Sequence, residues 1–181
     1  MDNYDFSRLS VLIVDDSVHI RRLVRAILHA FGCRDIFDAP TGKRALKELR
    51  GNQIDVVILD WMMEPMDGIQ LTKIIRAGDG SIPNPYIPII MLTGHTTMNC
   101  ILEAREAGVT EYLAKPITPK GLMSRLQMVI AKPRPFVRTP VFFGPDRRRK
   151  DSSFYTGPER RDDELEEKNK FELDDETENA A

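Results

Sequence analysis

The sequence predicts a three-layer α/β sandwich built around a parallel sheet, and two observations carry that expectation. The first is strict alternation. Five short runs rich in apolar and β-branched residues alternate with five segments whose apolar residues recur at helical spacing. The second is the character of the central runs. LSVLIV, DVVIL and PIIML lack the polar alternation of a half-exposed strand, so both faces of each should be buried under helices. Right-handed crossovers then distribute the helices over both sides of the sheet.

The elements follow in order along the chain. Leu9 to Val14 is the first strand, after a polar arm over residues 1–8. Ser17 to Phe31 is a helix with Ile20, Leu23, Val24, Ile27, Leu28 and Phe31 at helical spacing, Ser17 as N-cap and Gly32 as its stop. Asp35 to Asp38 is a short, weak strand. Thr41 to Arg50 is a helix presenting Ala45, Leu46 and Leu49. Asp55 to Leu59 is a buried strand, and Gly68 to Ala77 a helix. Gly78 to Tyr86 (GDGSIPNPY) is a loop by its Gly, Pro and Asn content. Pro88 to Leu92 is a strand, Thr97 to Ala107 a helix closed by Gly108, and Glu111 to Ala114 a short strand. Thr118 to Ala131 is the last helix, with Leu122, Leu126, Val129 and Ile130 inward.

Charge divides the 181 residues further. Residues 1–133 carry a net charge of +1, residues 134–161 carry +5 and residues 162–181 carry −8. The organisation read from this is an arm (1–8), an α/β domain (9–131), a Pro/Arg-rich basic extension (132–161) and an acidic disordered tail (162–181). KPRPFVRTP, with three prolines in nine residues, should be extended. Cys33 and Cys100 form no metal-binding spacing and fit a reducing cytosol. The polar N-terminus is no signal peptide, and no apolar run reaches the length of a membrane helix, so a cytoplasmic location without membrane contact is expected. No helix-turn-helix pattern follows Ala131, so no DNA-binding domain is expected.

In an open parallel sheet, ligands bind beyond the carboxyl ends of the strands. Asp15 and Asp16 follow the first predicted strand, Asp60 the third, Thr93 the fourth and Lys115 the fifth. Singly, each has a plain structural role: a turn or cap for the aspartates, a strand end for Thr93, a solvated charge for Lys115. Jointly they converge on one edge. Clustered carboxylates repel unless a cation joins them. Mg²⁺ suits this set, because it takes one or two carboxylates, several waters and phosphate oxygens. Asp60 can then attack phosphorus in line, while Lys115 and the metal offset charge on the transferring group and Thr93 donates to a phosphate oxygen.

VLIVDDS, VVILDWMMEPMDG, IIMLTGHT and EYLAKPIT resemble the four signature segments of bacterial response-regulator receiver domains of the CheY type, over about Leu9 to Ala131. The resemblance implies a (βα)₅ flavodoxin-like sandwich with strand order 2-1-3-4-5, followed by an extended or disordered C-terminal tail. It implies that Asp60 is the phosphoacceptor and that Asp15, Asp16, Asp60 and the backbone carbonyl of Met62 hold Mg²⁺ or Mn²⁺. Thr93 and Tyr112 become the switch pair, Lys115 the catalytic lysine, and Pro116 follows a cis bond. The side chains of Met62 and His95 tune the lifetime of the acyl phosphate, and Trp61 and Met63 are local packing or partner surface. The implied protein is no turnover enzyme beyond its own phosphorylation and dephosphorylation. Its implied partners are a sensor histidine kinase or phosphotransfer protein and an output protein reached by switched protein–protein contact.

The extension holds a near-repeat. FFGPDRR (Phe142 to Arg148) and FYTGPERR (Phe154 to Arg161) each pair two aromatics with Gly-Pro, an acid and two arginines. Two readings stay open: a solvated basic linker, or an anion clamp. In the clamp Arg147, Arg148, Arg160 and Arg161 would grip phosphates or guanine edges, Asp146 and Glu159 would accept from a base or orient an arginine, and Gly-Pro would set the presenting turn. The repeat resembles the arginine-rich extension of CheY-like cyclic di-GMP effectors, which implies cyclic di-GMP as ligand and the receiver as scaffold.

Overall fold

The structure is a computed structural model and describes residues 5–78, 80–94, 98–140 and 142–146. Five parallel strands, β1 (Ser10–Val14), β2 (Asp35–Ala39), β3 (Val56–Asp60), β4 (Ile89–Thr93) and β5 (Glu111–Ala114), lie in the order β2-β1-β3-β4-β5. Five helices connect and follow them: α1 (Val18–Ala30), α2 (Gly42–Gly51), α3 (Gly68–Arg76), α4 (Met98–Ala107) and α5 (Pro119–Ala131). None of the described helices is long and apolar enough to cross a membrane.

The apolar strands supply two cores because alternate side chains point to opposite faces. Leu12, Val14, Val57, Leu59, Ile89 and Met91 meet α2, α3 and α4 on one face. Val11, Ile13, Val56, Ile58, Ile90 and Leu92 meet α1 and α5 on the other. Phe6 of the N-terminal arm closes the second core against Phe31. On α1 the inward stripe is Ile20, Val24, Ile27 and Leu28, whereas Leu23 is 44% exposed. Ile130 on α5 is likewise exposed. Both lie at the edge of a stripe that apolar spacing alone draws too wide.

Local chemistry fixes the helix starts. The Ser17, Thr41 and Thr118 hydroxyls each accept an N–H of the first turn of α1, α2 and α5. Asp67 and Gln70 form a reciprocal capping box at the start of α3.

The extension after α5 is extended, as its prolines require, but it is also paired. β6 (Phe136–Arg138) and β7 (Phe143–Pro145) form an antiparallel ribbon, closed by the Asp146 N–H to Pro135 O at 2.7 Å. The ribbon lies against the end of α3. Arg76, only 4% exposed, donates from Nε to Gly108 O and from Nη1 to Pro85 O. Its guanidinium stacks 5.0 Å from the Phe136 ring centre. Burial pulls this group down to about 9, and it stays a cation at neutral pH. Tyr86, Phe136 and Phe143 pack edge to face or tilted at centroid distances of 5.1 to 5.6 Å. Arg134 ties the ribbon's base to Glu111 at 2.7 Å, a carboxylate 2% exposed. Gly144 and Pro145 are buried within β7, and a Cβ on Gly144 would come 2.9 Å from Gly108 Cα. Gly-Pro in the first repeat unit is therefore a packing element of a strand rather than a presenting turn.

Candidate functional site

Strand register brings the predicted residues to one edge. Asp60 is the last residue of β3 and pairs with Leu92 of β4. Thr93 ends β4 opposite Ala114 of β5. Asp15 and Lys115 each lie one residue beyond a strand and continue its ladder: Asp15 N–H donates to Ala39 O at 3.2 Å, and Lys115 N–H to Thr93 O at 2.8 Å. Chain direction in a parallel sheet thus sets all four at the carboxyl edge, with Asp16 following Asp15 in the turn before α1.

Side chains complete the pocket. Carboxylate oxygens of Asp15, Asp16 and Asp60 lie within 4.8 Å of one another. Lys115 Nζ sits 2.9 Å from Asp60 Oδ1 and 3.4 Å from Asp15 Oδ2. Asp15 is fully buried and its Oδ1 accepts the Ser17 N–H at 2.8 Å. Burial pushes the Asp15 carboxyl above its ordinary range and the Asp60 charge adds to that, against the Ser17 amide and Lys115. Burial alone would pull Lys115 down, but its bond to Asp60 and the charges of Asp60 and Asp15 leave it above its ordinary value. One ammonium facing three carboxylates leaves net negative charge in a partly dry pocket. A hard divalent cation with oxygen ligands fits that donor set.

The other predicted residues fall around this centre. Thr93 is buried and Tyr112 half-buried one strand over. The Lys115–Pro116 bond is cis. Met62 is 63% exposed beside the pocket, while Met63 is buried and Trp61 packs against the core. In the extension, Asp146 is half-buried at the ribbon's end. His95, Arg147, Arg148, Glu159, Arg160 and Arg161 lie outside the described residues. Sequence reasoning missed Arg21, whose guanidinium contacts the carbonyls of both Asp15 and Asp16. The only available signal was the four-residue spacing of Arg21 and Arg25 on one helix face, next to an aspartate-rich strand.

The raised Asp15 carboxyl has a stability consequence in metal-free buffer. A carboxyl whose folded pKa exceeds its unfolded value binds protons more tightly when folded. Its stabilising contribution is therefore full below about pH 4 and is lost as pH rises through the folded pKa. Asp15→Asn should be more stable than wild type at neutral pH without metal. The gap should close on acidification, as followed by urea unfolding across pH with chelator present. A constant difference at all pH values would contradict this origin.

The sequence profile of the response regulator receiver domain matches residues 11–127. The chemotaxis protein CheY-3 of Vibrio cholerae serotype O1 is 35% identical over 124 residues, covering 68% of this chain and 93% of that protein. Among solved structures, Vibrio cholerae CheY4 superposes with a TM-score of 0.62 at 34% identity, covering 67% of this chain and 98% of the other. The receiver domain of a sensor histidine kinase from Pseudomonas aeruginosa, with magnesium coordinated in its active-site cleft, does so with a TM-score of 0.61 at 27% identity, covering 68% and 98%. Receiver domains are signalling domains that accept a phosphoryl group on an aspartate and bind Mg²⁺ at their acidic pocket. With these matches and this pocket, the chain belongs to the response regulator receiver family.

Proposed function

We propose that this protein accepts a phosphoryl group on Asp60 from a histidine kinase or phosphotransfer protein and signals through a phosphorylation-switched protein contact. The observation that carries this reading is the position of Asp60 at the mouth of β3, with Lys115 at 2.9 Å and two further carboxylates within 4.8 Å. An Asp60 carboxylate oxygen forms the bond to phosphorus as the donor's bond to phosphorus breaks. Lys115 moves with the transferred group and stabilises its charge. Asp15, Asp16, Asp60 and the Met62 carbonyl would hold Mg²⁺, which when bound neutralises the cluster and the phosphoryl oxygens. Thr93, one strand over from Asp60, would donate its hydroxyl to the new phosphoryl oxygen. Tyr112, half-buried on β5, would follow into the space that Thr93 vacates, changing the α4–β5–α5 face read by the partner.

A second reading, cyclic di-GMP binding by the repeated arginine-rich units, draws support from one feature. The Asp146 N–H of the first unit closes the ribbon on Pro135 O, and Arg147 and Arg148 follow Asp146 directly in sequence.

One preparation tests both readings. Acetyl phosphate with Mg²⁺ should add a single phosphoryl mass that peptide mapping places on Asp60, and chelator should abolish the gain. Label on another residue, or equal labelling in chelator, sinks the first reading. Calorimetric titration with cyclic di-GMP decides the second, and absence of heat at high micromolar ligand removes it.

A further inference from the structure

Two of the three pocket aspartates, the adjacent Asp15 and Asp16, are held very differently. Asp15 is buried, accepts the Ser17 amide and faces Lys115. Asp16 is exposed, and among the described residues no hydrogen bond or ion pair reaches its carboxylate. Its aim therefore rests on its backbone, and that backbone is clamped from one side. Arg21, in the first turn of α1, donates from Nη1 to the carbonyl of Asp15 at 2.7 Å and to the carbonyl of Asp16 at 3.1 Å. Those carbonyls belong to the two peptide planes that flank Asp16. Holding both planes fixes the direction in which the Asp16 Cα–Cβ bond points.

The guanidinium is itself held. Its side chain is only 14% exposed, and Nε lies 3.4 Å from Asp38 Oδ2. Asp38 sits on β2 opposite Ile13 and is shared with Arg25, which also donates to Ile36 O. An anchored planar cation spanning two carbonyls is a rigid brace, which a flexible lysine reproduces only in part.

We propose that Arg21 is a positioning residue for the divalent-cation pocket, acting by pre-aiming Asp15 and Asp16 without touching the metal or the phosphoryl group. The proposal rests on reading that pocket as the Mg²⁺ site. Two physical effects make opposite predictions here. By charge alone, a cation behind the pocket opposes Mg²⁺, so its removal should tighten binding. By positioning, its removal should loosen binding, and groups that orient metal ligands typically contribute about 10- to 100-fold in affinity.

The test is Mg²⁺ titration of the full chain without phosphodonor, followed by calorimetry and by the fluorescence of Trp61, the single tryptophan, beside Asp60. Arg21→Met should weaken Mg²⁺ by about 10-fold or more. Arg21→Lys should recover part of the loss. Asp38→Asn, which frees the brace but keeps its charge, should weaken Mg²⁺ to a smaller extent. With acetyl phosphate, the half-saturating Mg²⁺ concentration should rise in Arg21→Met while the rate at saturating Mg²⁺ recovers towards wild type. Unchanged or tighter Mg²⁺ in Arg21→Met overturns the proposal, as does a lowered melting temperature with wild-type Mg²⁺ affinity. If Arg21→Met does not fold, wild-type affinity in both Arg21→Lys and Asp38→Asn overturns it. Failure of the wild type to bind Mg²⁺ would instead overturn the reading of the pocket, a result distinct from a wild type that binds and a variant that matches it.

Discussion

Asp60→Asn is expected to take up no phosphoryl group from acetyl phosphate at any Mg²⁺ concentration. The substitution keeps the size and shape of the side chain at the end of β3 but replaces an anionic oxygen by a neutral amide. Removing a nucleophile costs on the order of 10⁴-fold or more in rate, so labelling should fall below detection by intact-mass measurement. The fold should survive. Asp60 is buried beside Asp15 and Lys115, and the change removes one of three mutually repelling carboxylates together with one ion pair. The two losses oppose each other, so the melting temperature should move little. Full labelling of a folded Asp60→Asn protein would transfer the phosphoacceptor role to another residue.

Gly68→Ala is expected to damage both the fold and the site, although Gly68 is not among the clustered side chains of Asp15, Asp16, Asp60 and Lys115. A Cβ on Gly68 would lie 2.3 Å from the carbonyl oxygen of Asp60 and 3.1 Å from both Asp60 C and Trp61 Cα. All three are main-chain atoms, with no rotamer through which to yield. The Gly68 N–H also donates to Trp61 O at 2.8 Å, so α3 cannot simply slide away. The clash is relieved only by displacing the end of β3, at about 3 kcal/mol in overpacking strain. With Asp60 as the proposed phosphoacceptor, a displacement of roughly 1 Å there would slow phosphorylation about 100-fold. Urea unfolding and the acetyl-phosphate labelling rate measure the two effects. Gly51→Ala is the control, because nothing lies within 4 Å of its Cβ at the end of α2. A Gly68→Ala protein as stable and as reactive as that control would show that β3 and α3 can separate at no cost.

The strand-end cluster was legible in the sequence because its signal is positional. Each of Asp15, Asp60, Thr93 and Lys115 ends an apolar run, and parallel strands carry their ends to one side. Strand order was not legible from periodicity, since a buried run such as VVIL pairs equally well with any neighbour. It came from the resemblance of the motifs. The ribbon was hidden for another reason. Three-residue strands are too short to show a period of two, and the prolines at 135, 140 and 145 read as breakers. Its partners lie far away in sequence, at Arg76, Tyr86 and Gly108. Arg21 escaped because its spacing from Arg25 marks a helix face and says nothing of the main-chain carbonyls it meets. Ile130 was misplaced because an apolar residue on a helix need not be an inward one.

The ribbon also decides how this receiver can be transplanted. The family profile stops at residue 127, and the last helix stops at Ala131. A graft cut there would take Arg134 from Glu111, which it meets at 2.7 Å, and would strip the aromatic cover from Arg76. A graft cut after Asp146 keeps both charges seated. For joining this receiver to a different output, the splice site falls after Asp146, nineteen residues beyond the end of the family profile.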